Sequence, residues 1–156
     1  MGDQLHDQLV QYYGICRETD ALYSQLAERS GVSDSMLWVL YAVHMSGAQC
    51  TQRDSSRIWA MSKQTVHSAL KKLQEGGYIT MEVSPSDRRS KHIYLTEYGL
   101  SFVRANIDGI FAAEQEAFCA MEEEERQALL RISGKYQHLL AERMTQLLRE
   151  EKPAVQ

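Results

Sequence analysis

Residues Ser62 to Gly99 read SKQTVHSALKKLQEGGYITMEVSPSDRRSKHIYLTEYG, and the order of local signals in this stretch decides the fold. Ser62 can cap a helix running from Lys63 to about Glu75. Thr65 stands at its third position, so the Glu or Gln of a full capping box is missing. Gly76-Gly77 stops the helix by supplying a residue that tolerates positive φ. Tyr78 to Val83 alternates and is rich in strand formers. Ser84 to Ser90 is turn chemistry, and Lys91 to Leu95 is the returning strand. Thr96 is an N-cap for a further helix, with Glu97 placing a carboxylate in its first turn.

The charge distribution singles out the same region. The chain of 156 residues carries a net charge of -4. Between Thr51 and Gly99 eight basic side chains stand against five acidic ones, so this segment is +3 and the remainder is −7. A basic centre with acidic flanks suits a protein that turns one face towards an anion, because the local field governs the contact.

Outward from the centre the chain reads as helix. Leu5, Leu9, Tyr12, Cys16, Tyr23 and Leu26 recur at helical spacing over about residues 4 to 29, and Ser30-Gly31 ends that helix. Ser33 or Asp34 caps the next. There Met36, Leu37, Leu40, Tyr41, Val43 and His44 cover much of the circumference, which marks a central helix ending at Ser46-Gly47. Thr51 can cap a short helix to about Trp59. The helix begun at Thr96 is expected to run unbroken to about Met121. Glu122 to Glu125 opens a last helix to about Arg149, with Leu129, Ile132, Tyr136, Leu139, Leu140, Met144 and Leu147 as its stripe. No internal repeat or linker interrupts this pattern.

On the helix from Lys63, Val66, Ala69, Leu70 and Leu73 share one side and Gln64, His67, Ser68, Lys71 and Lys72 the other. The first side can pack on the preceding short helix through Ile58 and Trp59. The second can be a solvated face, or it can enter a major groove, where Gln reads adenine and Lys reads guanine or holds phosphate. Ser62, Lys63 and Thr65 lie where free N–H groups and the helix dipole favour phosphate. Asp87, Arg88 and Arg89 tip the hairpin. They can form a solvated turn, or a guanidinium aimed by Asp87 into a narrow minor groove. A helix followed by a basic hairpin has the form of a winged helix-turn-helix: mainly α with a small β-hairpin wing, a DNA-binding lobe joined to a helical dimerisation lobe.

In this order the pieces closely resemble the MarR family of bacterial winged-helix transcriptional regulators. The resemblance rests on SKQTVHSALKKLQEGGYI, on the D-x-R element at Asp87 to Arg89, and on KHIYLTEYG with Leu95, Thr96 and Gly99 at the family's L-T-x-x-G positions. One departure is that Asp54-Ser55-Ser56-Arg57 stands where the family usually carries an apolar pair. The resemblance implies a single domain over residues 1–156, with a reading lobe at about 33–99 and a dimerisation lobe at about 1–30 and 100–150. It further implies a homodimer on double-stranded DNA, with two reading helices about 10 base pairs apart on a pseudo-palindromic operator. The expected DNA contacts are Ser62, Lys63, Gln64, Thr65, His67, Ser68, Lys71, Lys72, Asp87, Arg88, Arg89 and Lys91.

The family usually answers to small phenolic or lipophilic effectors or to oxidation. Tyr12, Tyr13, Arg17, Trp38, Tyr41 and His44 could line an effector cleft, since aromatic walls with one cation suit an aromatic acid; the same aromatics could equally be core. Cys16, beside Arg17, is the redox candidate, although a cysteine on an apolar stripe is usually inert filling. Three cysteines without C-x-x-C spacing argue against a disulfide framework, and His44, Cys50, His67 and His92 match no compact zinc motif. No cofactor is called for. No phosphate-binding glycine loop, G-x-S-x-G or H-E-x-x-H occurs, which removes the commonest enzyme signatures. A winged helix used for protein contact is the remaining rival. The polar, acidic start MGDQLHDQ and the lack of any run of about 18 apolar residues lead to the expectation of a cytoplasmic protein with no membrane span.

Overall fold

A computed structural model describes residues 2–46, 50–51, 54, 60–83 and 90–149. It divides into two compact units, Met1–Ile110 and Phe111–Gln156. The first helix, α1, spans Gly2–Arg29. Its end is set by Gly31, at φ 72. The Gly31 N–H bonds to the Glu28 carbonyl at 3.0 Å and the Val32 N–H to the Ala27 carbonyl at 3.1 Å, the paired closure of a Schellman motif. Ser33 then caps α2, Asp34–Ser46, by accepting from the Met36 N–H at 3.4 Å. The Ser24 hydroxyl donates to the Asp34 carboxylate at 2.6 Å and ties the two helices together at this corner.

Helix α2 is the centre of the first unit. Leu37, Val39, Leu40, Tyr41, Ala42 and Val43 are all buried, as its nearly all-round apolar sequence leads one to expect. Against it packs α3, Lys63–Glu75, through Val66, Ala69, Leu70 and Leu73. Each fully buried leucine of this contact contributes about 1.5–3 kcal/mol. A second Schellman closure ends α3: Gly77, at φ 74, bonds to the Gln74 carbonyl at 3.1 Å and Tyr78 to the Leu73 carbonyl at 2.9 Å.

Strands β1, Ile79–Val83, and β2, Lys91–Leu95, form an antiparallel hairpin with Ile79 opposite Leu95, Met81 opposite Ile93 and Val83 opposite Lys91. Ile79 and Ile93 turn into the core. A third, short piece of sheet joins the hairpin. Thr51 bridges to His92, and the Ile93 N–H donates to the Cys50 carbonyl at 2.8 Å. Cys50 is fully buried there as core filling. Two residues are too few to show a period, so Cys50-Thr51 reads only as the approach to a cap.

The expected single helix from Thr96 to Met121 is two helices. Helix α4 covers Glu97–Asn106 and α5 covers Asp108–Cys119, with Ile107 between them at φ -108. Asn106 turns its side chain back to the Phe102 carbonyl at 2.9 Å, and Asp108 opens the next helix. Both residue types compete with the backbone ladder and favour helix ends. Ile107, Val103 and Ile110 are buried beneath the break, and His44 at the end of α2 pairs with Asp108 at 3.1 Å.

Helix α6 spans Glu123–Arg149. The acidic run at its start is a cap. The Glu125 carboxylate accepts from the Glu122 N–H at 2.8 Å, and Glu123 pairs with Arg126 at 2.5 Å. Arg126 also donates to the Phe118 and Met121 carbonyls, clamping the turn after α5. Hydrogen bonds from Gln127 and Arg126 hold the Glu123 carboxyl below its usual range.

Candidate nucleic-acid interface

Helix α3 presents two chemically different faces. Behind it lie the four buried apolar side chains; in front, Lys63, Gln64, Thr65, His67, Ser68, Lys71 and Lys72 are all exposed. The Ser62 hydroxyl accepts from the Thr65 N–H at 3.0 Å and meets the Thr65 hydroxyl at 2.7 Å. This hydroxyl pair replaces the missing acidic partner of a capping box and leaves the N-terminus of α3 without a carboxylate, a favourable setting for phosphate. Lys71 reaches Glu75 at 3.8 Å, with both side chains well exposed, so the pair is weak and leaves Lys71 available.

Upstream, Thr51 and Asp54 form a reciprocal cap: the Thr51 N–H and hydroxyl donate to the Asp54 carboxylate at 3.0 and 2.6 Å, and the Asp54 N–H donates to the Thr51 hydroxyl at 3.2 Å. Thr51 thus does cap, as expected. The rest of the expected short helix, including Ile58 and Trp59 and the residues 55–57 of the departure from the family pattern, lies outside the described residues. Ala60 then takes φ 51, a left-handed conformation uncommon for a residue with a Cβ.

Downstream, the hairpin presents Lys91 to solvent. The expected tip residues Asp87, Arg88 and Arg89 lie outside the described residues. Thr96 holds the base of the hairpin. Its N–H donates to the Tyr78 carbonyl at 3.0 Å, its hydroxyl donates to the Gly77 carbonyl at 2.6 Å, and the same oxygen accepts from the Gly99 N–H at 2.9 Å. Gly99 lies so close under this joint that an added Cβ would come 1.9 Å from the Tyr78 carbonyl oxygen. The L-T-x-x-G element is therefore a joint between the end of α3 and the start of α4. The sequence shows Thr96 only as a cap, because its hydroxyl partners are 18 and 19 residues away. Tyr78 also stacks on Tyr98 and Phe102, at 4.9 and 5.0 Å between ring centroids. A hydrogen bond with Tyr98, and then burial, raises the Tyr78 hydroxyl above the ordinary tyrosine range.

The expected effector residues fall into two groups. Trp38 and Tyr41 meet edge-on at 5.7 Å between ring centroids, and Tyr23, which is not among the expected cleft residues, joins them at 4.6 Å from Trp38. Tyr41 is buried, Trp38 half-buried, and His44 is engaged with Asp108. Tyr12 and Tyr13 pair at 5.9 Å, with exposed Arg17 one turn on. Tyr13 lies about 15 Å from Tyr23 along α1 at the helical rise. Cys16 is half-buried; its hydrogen bond to Tyr12 is the main cause of a raised Tyr12 hydroxyl. Among the described residues no three His, Cys, Asp or Glu side chains converge as a metal site. No helix among them is long and apolar enough to cross a membrane.

The MarR family model matches residues 30–90, from the end of α1 through α3 and β1. No curated protein sequence matches the chain. Among solved structures, MepR of Staphylococcus aureus in complex with DNA shares 25% identity, covers 84% of this chain and 96% of its own, and superposes with a TM-score of 0.64. A MarR family regulator from Neisseria meningitidis shares 23% identity over 93% of this chain and 99% of its own, with a TM-score of 0.70. Staphylococcus aureus MarR in complex with salicylate and kanamycin shares 19% identity over 88% of this chain and 92% of its own, with a TM-score of 0.65. The chain is thus similar to the MarR family over its central segment, and it shares the winged helix-turn-helix fold of these structures over most of its length.

Proposed function

We propose that this protein is a sequence-specific repressor that occupies a pseudo-palindromic operator as a homodimer and leaves it when a small phenolic or lipophilic effector binds. The observation that carries DNA reading is the two-faced α3, its apolar side locked into the core and its opposite side a row of uncharged and cationic donors. Gln64, Lys71 and Lys72 read or hold the major groove, and Ser62, Lys63 and Thr65 receive a phosphate at the helix N-terminus. Lys91 and the tip residues Asp87, Arg88 and Arg89 serve the wing. The acidic flanks keep the rest of the chain off DNA.

Dimerisation is supported by the two long helices. On α1, Leu5, Val10, Ile15 and Leu22 are at least half exposed, and on α6 so are Leu130, Ile132, Met144, Leu147 and Leu148. Apolar faces of this extent on a single chain mark an interface. The reading lobe is then about 33–99 and the dimerisation lobe about 1–30 and 100–150, in a cytoplasmic protein. The aromatic groups around Trp38 and around Tyr12 suit an aromatic acid, a chemistry also seen in the salicylate complex of Staphylococcus aureus MarR.

The test is operator selection from a random DNA library followed by affinity against salt. Replacing Lys71 and Lys72 together by alanine removes two lysines from each of two subunits, so it should lower the log–log salt slope by up to about 4 and weaken binding by roughly tenfold or more. No enriched DNA, or an unchanged slope, would refute the reading. Release by phenolic acids identifies the effector arm; release by peroxide that Cys16→Ser abolishes would replace it with a redox sensor.

A further inference from the structure

We infer that Thr96 is the positioning residue that sets the separation of the two reading heads, by cross-linking the end of α3 to the start of α4. The inference rests on the dimeric DNA-binding reading above.

The geometry points beyond a helix cap. A cap needs only the acceptor role, which Thr96 performs for Gly99 at 2.9 Å. Its hydroxyl proton goes elsewhere, to the Gly77 carbonyl at 2.6 Å, with the Tyr78 carbonyl at 3.2 Å beside it. Gly77 closes α3, and Tyr78 leads into β1. One oxygen therefore joins the reading helix, the hairpin base and α4. Gly99 lets the Tyr78 carbonyl approach to a distance that no other residue tolerates. Helix α4 and the buried Ile107 at its end belong to the same compact unit as α3, so Thr96 fixes the angle between α3 and α4 within that unit. In a two-fold assembly such an angle appears twice and becomes a half-site spacing.

Three variants separate the roles. Thr96→Asp keeps an N-cap acceptor and removes the donor; Thr96→Val removes both and preserves shape; Thr96→Ser keeps both. The first measurement uses no DNA. Spin labels at exposed positions 67 and 104, in a Cys16→Ser, Cys119→Ser background diluted with unlabelled chain, give the distribution of distances between α3 and α4. The second measures affinity for operators whose half-sites are moved apart or together by single base pairs. Thermal melting confirms that each variant is folded.

The expected result is a broadened distance distribution in Thr96→Asp and Thr96→Val, and a ratio of best-spacing to next-spacing affinity reduced by about tenfold, the scale of one lost hydrogen bond. Thr96→Ser should restore both. The charge of Thr96→Asp weakens binding at every spacing alike, so the ratio is the readout. A distribution as narrow as wild type in both Asp and Val variants overturns the inference. So does a broadened distribution with affinity lowered by one factor at all spacings, which is a merely structural effect. If the wild type binds no operator, the DNA reading fails, while the width of the distribution still decides whether Thr96 fixes the α3–α4 angle.

Discussion

Replacing Gly99 by alanine should cost more stability than the same change at any other described glycine. At an open helical position glycine to alanine gains about 1 kcal/mol. Here the new Cβ would lie 1.9 Å from the Tyr78 carbonyl oxygen, whereas real Cβ contacts stay beyond 3.0 Å. The obstacle is backbone, so helix α4 or the chain at Tyr78 must move by about 1 Å or more. A shift of that size breaks the Thr96 N–H bond to Tyr78 and the Thr96 hydroxyl bond to Gly77. At about 0.5–1.5 kcal/mol each, these losses sum to roughly 1–3 kcal/mol. Overpacking strain adds about 1–3 kcal/mol. Less the helical gain, the net loss is about 1–5 kcal/mol, read as a lower urea midpoint at fixed protein concentration. Gly109→Ala is the control, because nothing lies within 4 Å of its Cβ position; it should gain up to about 1 kcal/mol. If Gly99→Ala is as stable as wild type, the close joint under Tyr78 is not the native arrangement.

Ala60→Gly should leave stability unchanged or raise it by up to about 1 kcal/mol, because the left-handed φ of 51 no longer opposes a Cβ; a clear loss in urea unfolding would contradict the turn geometry. Tyr98→Phe should flatten the alkaline limb of the stability profile. The Tyr78 hydroxyl is raised in the fold, so its contribution is intact below the ordinary tyrosine value near 10 and is lost as pH rises through the folded value. Equal slopes for wild type and Tyr98→Phe between pH 9 and 11 (roughly the tyrosine range) would remove Tyr98 as the cause. Leu130→Glu on α6 should shift sedimentation towards the monomer at micromolar protein; a wild type that sediments as a monomer would overturn the proposed assembly.

Where an element repeats a period, the sequence announces it. The two faces of α3 follow from Val66, Ala69, Leu70 and Leu73 at three- and four-residue spacings, and the all-round burial of α2 from its unbroken apolar run. The stops at Gly31 and Gly77 are equally legible, since each supplies the positive φ that a Schellman closure requires. Elements without a period do not announce themselves. Cys50 and Thr51 join the sheet through long-range partners, and the break at Ile107 is written only in two cap-forming side chains, Asn106 and Asp108. The site shows the same division. The exposed row on α3 was readable from one helix alone. The grouping of Tyr23 with Trp38, the pairing of His44 with Asp108, and the donor role of Thr96 depend on how separate elements meet.

The burial of α2 has a mechanical consequence. A helix with one wet side can rotate or slide by trading contacts with water a few at a time. Helix α2 has almost no wet side, and α3 is packed directly against it. Moving α3 alone would open a gap against the buried side chains of α2, at about 24 cal/mol for each Å³ left empty. The α2–α3 pair therefore moves as a solid block, and under the proposed function a signal that releases DNA would turn the whole block rather than bend α3. The amides of α2 should accordingly be the last in this unit to exchange with solvent, at a rate set by unfolding of the block as a whole.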